Sequence, residues 1–247
     1  MTNPSSDVSV EPVYRDDLVT VYQADCLESP ELWTHADVLI ADPPYGMGYQ
    51  SMKPEQFGSE RKPRIAGDRT TAARDSALRL WGDRPALVFG TWKTPRPEGL
   101  RHLIMWDKSP DPGMGDLTLP WGNSIEEVYV FGGGWEGRRR SNVLHFRSVH
   151  HTRRRTGHPT PKPVELMESL IRHCPEEWVI ADPFAGSGAT LAAARNLGRR
   201  AIGVEVEARY CEYIADTLSQ PTLPVTDVEV VDRAPAVAVA GMGGGAV

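Results

Sequence analysis

The chain has 247 residues, of which 24% are charged and 40% are hydrophobic, and its formal net charge is −6. This length suits one domain with a buried core, and the acidic balance means that a nucleic-acid role must rest on local patches. Three scattered cysteines, none in a Cys-x-x-Cys pair, favour neither a disulfide framework nor a zinc site. The same cysteine pattern fits a reducing cytoplasm without a bound metal. No apolar run approaches the length of a membrane span, so we expect no membrane partner.

Short apolar runs alternate with amphipathic segments, which predicts an α/β fold with a doubly wound, mostly parallel sheet. We predict a flexible leader at 1–13, one domain at 14–218 and a flexible tail at 219–247. The predicted strands are 18–24, 37–41, 85–90, 103–106, 127–131, 178–181 and 200–204. The predicted helices are 27–34, 70–81, 96–102, 163–173, 190–197 and 208–218.

The first candidate site is Asp42-Pro43-Pro44-Tyr45, which follows the buried strand predicted at 37–41. The prolines and Gly46 stop the strand and stiffen the loop, so that a carboxylate and an aromatic ring stand at the strand's carboxyl end. Ligands bind at that end of open α/β sheets. The alternative is a Pro-rich surface loop with a capping aspartate.

The second candidate site is Asp182-Pro183-Phe184-Ala185-Gly186-Ser187-Gly188, between a predicted strand and a predicted helix. Glycines let a ligand approach the backbone at a helix N-terminus, and Glu205, at the end of the next strand, can bind both hydroxyls of a ribose. The third glycine of the nicotinamide-dinucleotide fingerprint is replaced by Leu191, and the Gly-Lys-Ser/Thr of a P-loop is missing. The alternative is a tight strand-to-helix turn that binds nothing.

The segment 132–157 is basic and contains one acid, Glu136. Its candidate nucleic-acid-binding residues are Arg138, Arg139, Arg140, Arg153, Arg154 and Arg155. Arginine side chains neutralise phosphates and read guanine edges, although a solvated basic loop has the same composition. The polar stretch 46–68 is long for a loop inside a compact domain, which indicates a functional or a disordered segment.

Together the two motifs resemble those of the S-adenosylmethionine-dependent DNA amino-methyltransferases of the β group, in which the catalytic motif precedes the cofactor motif. Three further elements are similar to family motifs: Gln23-Ala24-Asp25-Cys26-Leu27 to Gly-Asp-Cys-Leu, His158-Pro159-Thr160-Pro161-Lys162-Pro163 to His-Pro-Thr-Gln-Lys-Pro, and Ile202-Gly203-Val204-Glu205 to Ile-Gly-Ile-Glu. Pro161 and Ala189 stand where Gln and Thr are usual. Each motif alone is unspecific, but their combination in this order over 14–218 is highly specific.

The resemblance implies a Rossmann-like methyltransferase fold with permuted motif order, S-adenosylmethionine as cofactor and double-stranded DNA as substrate. It implies direct methyl transfer to the exocyclic amino group of a flipped base, with 132–157 as the target-recognition segment. The implied catalytic residues are Asp42, Pro43, Pro44 and Tyr45. The implied cofactor-binding residues are Asp25, Cys26, Thr160, Lys162, Asp182, Phe184, Gly186, Gly188 and Glu205, with Lys162 on the carboxylate of the cofactor.

An aspartate at position 42 is more typical of adenine-N6 than of cytosine-N4 enzymes in this family, so we expect N6 of adenine as the target and keep N4 of cytosine as the alternative. Two readings from other classes stay open, a nicotinamide-dependent oxidoreductase and a non-catalytic nucleic-acid-binding module. Whether the chain forms a homodimer, and whether a restriction nuclease is its partner, also stays open.

Overall fold

A computed structural model describes residues 10–44, 46, 70–110, 118–149, 158 and 160–220. The strands in these ranges are β1 Pro12–Arg15, β2 Val19–Gln23, β3 Val38–Ala41, β4 Ala86–Gly90, β5 His102–Asp107, β6 Ile125–Phe131, β7 Val143–His145, β8 Ile180–Asp182 and β9 Ala201–Glu205. The α-helices are α1 Ala72–Trp81, α2 Val164–Ile171, α3 Ala189–Asn196 and α4 Ala208–Ser219. Pro30–Leu32 forms a 3₁₀ helix.

The nine strands of the described ranges form one sheet in the order β1-β2-β9-β8-β3-β4-β6-β5-β7. The central run from β2 through β9, β8 and β3 to β4 is parallel throughout. β1 pairs antiparallel with β2, and β6 pairs antiparallel with both β4 and β5. The prediction of a doubly wound, mostly parallel α/β sheet is therefore confirmed.

Both faces of the sheet are covered, which explains why the central strands are apolar on successive residues. On β3, Val38 and Ile40 belong to a core that also contains buried side chains of α2, α3 and α4. Leu39 and Ala41 belong to a second core, formed with α1 and Trp33. In that second core the indoles of Trp33 and Trp81 are stacked with their centroids 5.9 Å apart, which adds about 1 kcal/mol to the burial of the two rings.

The chain leaves the centre of the sheet in opposite directions from two neighbouring strands. From β3 it passes through α1 to β4 on one side, and from β8 it passes through α3 to β9 on the other side. Because α1 and α3 lie on opposite faces, a crevice opens beyond the carboxyl ends of β3 and β8. Both sequence motifs follow these two strands.

Four details differ from the sequence predictions. β1 begins at Pro12, inside the predicted leader 1–13, and β7 lies inside the segment 132–157, for which no strand was predicted. The predicted helix 27–34 is reduced to the 3₁₀ turn, since Pro30 lacks an N–H and the stretch has no apolar period. Residues 96–102 contain no helix; they form turns that end where β5 begins at His102. None of the helices in the described ranges combines the length and the apolar character that a membrane crossing requires.

Glycines with positive φ stand at both ends of α3, and they differ in their surroundings. Gly188 (φ +78°) precedes the helix, and a Cβ built on it would lie 2.8 Å from Cγ1 of Ile214. Gly198 (φ +66°) follows the helix, and a Cβ there would meet nothing within 4 Å.

We therefore expect Gly198→Ala to lower the free energy of unfolding by about 1 kcal/mol, the cost of a left-handed alanine. Gly188→Ala carries the same backbone cost and also forces Ile214 to move, so its loss should reach about 3 kcal/mol. Urea denaturation of both variants measures the difference. Equal losses would contradict the close packing of Gly188 on Ile214.

Candidate active site

The first motif lies at the carboxyl end of β3, at the centre of the sheet. Asp42 directly follows the last strand residue, and Pro43 is buried beneath it. The Asp42 carboxylate does not stand alone: Nζ of Lys162 donates a hydrogen bond to its Oδ2 at 2.5 Å. Lys162 precedes α2, so this ion pair joins the first motif to a segment 120 residues further along the chain.

The second motif begins at Asp182, the last residue of β8, beside Asp42. Its Oδ1 accepts a hydrogen bond from the backbone N–H of Phe184 at 3.1 Å, and the Thr190 hydroxyl also donates to the carboxylate. Burial raises the pKa of Asp182 to about 7, and the negative charges of Asp42 and Glu205 act in the same direction. The raised pKa identifies a place where a cation would be favoured.

Glu205 ends β9, the next strand in the sheet, and is almost fully buried. Its Oε2 accepts from the backbone N–H of Gly186 at 2.8 Å, and its Oε1 accepts from that of Glu207 at 2.8 Å. Burial raises the pKa of Glu205, and the two backbone hydrogen bonds oppose this rise. These bonds fix the carboxylate against the glycine loop, where a polyhydroxyl ligand would meet it.

Asp25 and Cys26 lie at the same edge, because β2 pairs with β9 in a register that sets Gln23 beside Glu205. Asp25 closes the turn with Oδ1, which accepts from the N–H of Leu27 at 2.8 Å. Cys26 is buried in the second core, and burial, together with the charge of Asp25, raises the pKa of its thiol to about 12. The thiol of Cys26 is therefore a packing group and not a nucleophile.

The glycine loop packs against His158, the first residue of the segment that ends in Lys162. A Cβ on Gly186 would lie 3.0 Å from Nε2 of His158, so glycine is needed here for packing inside the protein. The imidazole also makes an edge contact with the ring of Tyr210 at 4.9 Å. Burial lowers the pKa of His158 to about 3, helped by the charges of Lys162 and Arg209, so this ring is neutral.

The basic segment begins at the opposite edge of the sheet. β6 ends at Phe131, which pairs with the first residue of β4. In the loop that follows, the N–H of Glu136 donates a hydrogen bond of 2.8 Å to the carbonyl of His173, just beyond the C-terminal end of α2. α2 has eight residues and is about 12 Å long. Asp42 contacts Lys162 just before the N-terminal end of α2, whereas His173 lies beyond its C-terminal end. The exposed Arg138, Arg139 and Arg140 therefore start from the side of the sheet away from Asp42.

Sequence analysis missed Glu126, which lies in the same charged cluster as Asp42. Its carboxylate is 3.0 Å from Nζ of Lys108 and 3.4 Å from Nζ of Lys162. Burial opposes ionisation of Glu126, but the charges of Lys162 and Lys108 outweigh it and lower its pKa. A signal was available, since Glu126 shares a strand face with the apolar Val128 and Val130, where a lone acid needs a buried partner.

The comparison with known proteins supports the resemblance found in the sequence. The family described as DNA methylase, of the N6/N4 type, matches residues 104–216. Over these residues the chain is similar to the DNA amino-methyltransferases. Type II methyltransferase M.ScaI from Streptomyces caespitosus is 35% identical over 94 residues, which are 38% of this chain and 28% of that protein.

The chain matches only a part of such relatives: the aligned stretches cover 24% to 28% of the length of M.ScaI, M.HpaI and M.BglII. Two solved structures share the fold. The cytosine-N4-specific PvuII DNA methyltransferase has a TM-score of 0.65 and 16% identity, over 87% of this chain and 91% of that one. The M1.HpyAVI–SAM complex has a TM-score of 0.57 and 20% identity, over 82% of this chain and 100% of that one.

The structure thus brings most of the predicted site residues to one edge of the sheet. Those at the carboxyl ends of the strands are Asp25, Cys26, Asp42, Pro43, Pro44, Asp182, Phe184, Gly186, Gly188 and Glu205. Thr160 lies between His158 and Lys162 in the chain, and its backbone N–H donates to Nδ1 of His158. Tyr45, Arg153, Arg154 and Arg155 lie outside the described residues, as does most of the stretch 46–68. Within the described ranges no group of three or more His, Cys, Asp or Glu side chains could hold a metal ion.

The raised pKa of Asp182 predicts a pH-dependent stability. In the unfolded chain this carboxyl group titrates at its ordinary value of 3.8, and in the folded protein at about 7. The folded state therefore binds the extra proton, and stability falls as the pH rises between these two values.

We expect Asp182→Asn, which keeps the acceptor for Phe184, to remove this dependence. Relative to the variant, the wild type should lose about 2–3 kcal/mol of unfolding free energy between pH 5 and pH 8. Urea denaturation across that range measures both proteins. Parallel curves would contradict the burial of a titrating carboxyl group at position 182.

Proposed function

We propose that this protein is a DNA methyltransferase that transfers the methyl group of S-adenosylmethionine to N6 of adenine in double-stranded DNA. The observation that carries the proposal is the placement of Asp42 and Asp182 at the carboxyl ends of the neighbouring strands β3 and β8, in a chain that resembles the DNA amino-methyltransferases. The crevice at such a reversal of strand order is where α/β sheets of this kind bind ligands.

The residues beside the crevice fit the cofactor. Its ammonium and sulfonium groups are cationic, and Asp182 and Glu205 are acids whose pKa values are raised chiefly by burial, with nearby carboxylates acting in the same direction. Asp182 and Thr160 would hold the amino-acid end, and Glu205 the ribose hydroxyls. Phe184, Gly186 and Gly188 would line the methionine and ribose, with Asp25 and Cys26 near the adenine.

When bound, S-adenosylmethionine supplies an electrophilic methyl group. The exocyclic amino nitrogen of a base is a weak nucleophile because its lone pair is shared with the ring. The Asp42 carboxylate and the Pro43 carbonyl would accept hydrogen bonds from the two amino hydrogens and turn the lone pair toward the methyl group. Because the nitrogen gains positive charge during transfer, the ionised Asp42 stabilises the transition state. Pro44 stiffens this loop, and Tyr45 would stack on the flipped base.

The choice between adenine and cytosine is the finer part of the proposal. Both bases present an amino group beside a ring nitrogen, so the acceptors at Asp42 and Pro43 suit either one. Asp at this position is more typical of adenine-N6 enzymes in the family, and this association favours N6. The structural likeness to a cytosine-N4 enzyme is a likeness of fold at 16% identity and does not decide the base.

The proposal predicts that Asp42→Ala abolishes methyl transfer while cofactor binding survives. Asp42→Asn keeps the shape of the side chain and one acceptor oxygen, and we expect it to lower the transfer rate by about 100-fold, because the charge is lost. Single-turnover rates and calorimetric binding of S-adenosylmethionine test both variants. A loss of cofactor affinity as large as the loss of rate would overturn the assignment of Asp42 to the base.

The product identifies the base. The wild type and Asp42→Ala are expressed in a host without DNA methylation, and digested DNA nucleosides are analysed by mass spectrometry. N6-methyladenine with the wild type alone supports the proposal in full, and N4-methylcytosine replaces adenine by cytosine while the chemistry stands. Absence of both products, with cofactor and DNA binding retained, would overturn the enzyme proposal in favour of a nucleic-acid-binding module.

We further propose that DNA approaches the carboxyl edge of the sheet through Trp92 and Trp121. The Trp92 side chain is 63% exposed in the loop that follows β4, and Nζ of Lys93 lies 5.7 Å from its ring. Trp121 is 80% exposed in the segment that leads into β6. Both segments adjoin strand ends on the same side of the sheet as Asp42, and exposed aromatic rings stack on bases that flipping has unstacked. The arginines of 132–157 remain candidates for phosphate contacts.

Two variants separate these two DNA surfaces. We expect Trp92→Ala to weaken DNA binding by about 10-fold, because one stacking contact is lost, with little change in salt dependence. The triple alanine variant of Arg138, Arg139 and Arg140 should flatten the salt dependence only if these arginines contact phosphates. Binding titrations at several salt concentrations measure both. A strong effect of the triple variant, with none from Trp92→Ala, would move the DNA path to the arginine segment.

A further inference from the structure

The charged cluster around Lys162 suggests a role for this residue other than binding the cofactor. Nζ of Lys162 lies 2.5 Å from Oδ2 of Asp42 and 3.4 Å from Oε2 of Glu126. It also lies 4.9 Å from the centroid of the Phe89 ring, and its side chain is only 5% exposed. An ammonium group held between two carboxylates and an aromatic face has little freedom to reach elsewhere.

We propose that Lys162 is a positioning residue that holds the Asp42 carboxylate in its acceptor orientation, and that Glu126 fixes Lys162 in turn. This inference rests on the proposed methyltransferase function. It replaces the role expected from the sequence, in which Lys162 binds the carboxylate of the cofactor.

The balance of charge supports this arrangement. Asp42 and Glu126 are both acids, and without a cation between them their repulsion would push the Asp42 side chain out of place. Lys162 compensates both, and Lys108 places a second cation on Glu126 at 3.0 Å. Glu126 is thereby kept ionised despite its burial, as its lowered pKa indicates. A neutral Glu126 would hold Lys162 less firmly.

The position of the three residues in the fold makes the cluster rigid. Asp42 follows β3, Glu126 is the second residue of β6, and Lys162 stands two residues before α2. β4 lies between β3 and β6 in the sheet, and its Phe89 forms the surface on which the Lys162 ammonium rests. A carboxylate attached in this way is oriented before the substrate arrives, which is the condition for an effect on the transfer rate.

The test is a double-variant cycle on Lys162 and Glu126. We expect Lys162→Met to lower the single-turnover rate by about 100-fold, since a displaced acceptor costs about that much. Its dissociation constant for S-adenosylmethionine should stay within about threefold of the wild type. Glu126→Gln should lower the rate by about 10-fold, because the bond to Asp42 is kept but less well fixed.

The combined variant decides whether the two residues act through one another. If Glu126 acts only through Lys162, the double variant should be no slower than Lys162→Met, and relief of the repulsion between Glu126 and Asp42 should make it faster. A product of the two separate losses would overturn the proposal. So would a loss of cofactor affinity in Lys162→Met as large as its loss of rate, since this would return Lys162 to the cofactor.

Lys108→Met is the matched control. It removes a second buried cation from the same Glu126 without touching Asp42, so its rate should fall less than that of Lys162→Met. Thermal melting shows whether each variant folds, and if Lys162→Met does not, Glu126→Gln decides alone, with an unchanged rate counting against the proposal. An inactive wild type would instead refute the proposed function, which keeps the two failures distinguishable.

Discussion

The parallel pairing of β3 with β8 is the contact on which the candidate site depends. The two strands are remote in sequence, yet Val38 pairs with Ile180 and Leu39 with Ala181, so both strands end at the same edge. The chain then leaves them in opposite directions and on opposite faces. Backbone pairing alone brings Asp42 and Asp182 to this edge of the sheet, before any contact between their side chains is considered.

The proximity of several carboxyl groups at this edge costs electrostatic free energy, which neighbouring hydrogen-bond donors and cations reduce. The negative charges of Asp42 and Glu205 disfavour ionisation of Asp182. Each of the three carboxyl groups is stabilised in a different way. Asp42 is paired with Lys162, Glu205 accepts two backbone N–H groups, and Asp182 has hydrogen bonds but no cation within the described residues. Asp182 is therefore the carboxyl group at which a cationic cofactor would be bound most favourably.

The sequence predicted the central strands because burial on both faces leaves an uninterrupted apolar run, as in β3. It did not predict β1 and β7, which have four and three residues, lie at the two edges of the sheet and are exposed on alternate positions. The two motifs indicated the site because each is local. The partnership of Lys162 with Asp42 spans 120 residues and depends on how α2 packs, so only the structure could reveal it. The same is true of the arginine segment, whose direction is set by the contact with His173.

The segment from His158 to Lys162 connects the two halves of the site. At its start the neutral imidazole of His158 fills the space beside Gly186, in the loop proposed to hold the cofactor. At its end the ammonium of Lys162 binds Asp42, in the loop proposed to hold the base. Pro161, between these contacts, limits the freedom of the backbone. A displacement of the glycine loop would therefore be transmitted over few residues to the Asp42 carboxylate, which couples the two motifs that are remote in sequence.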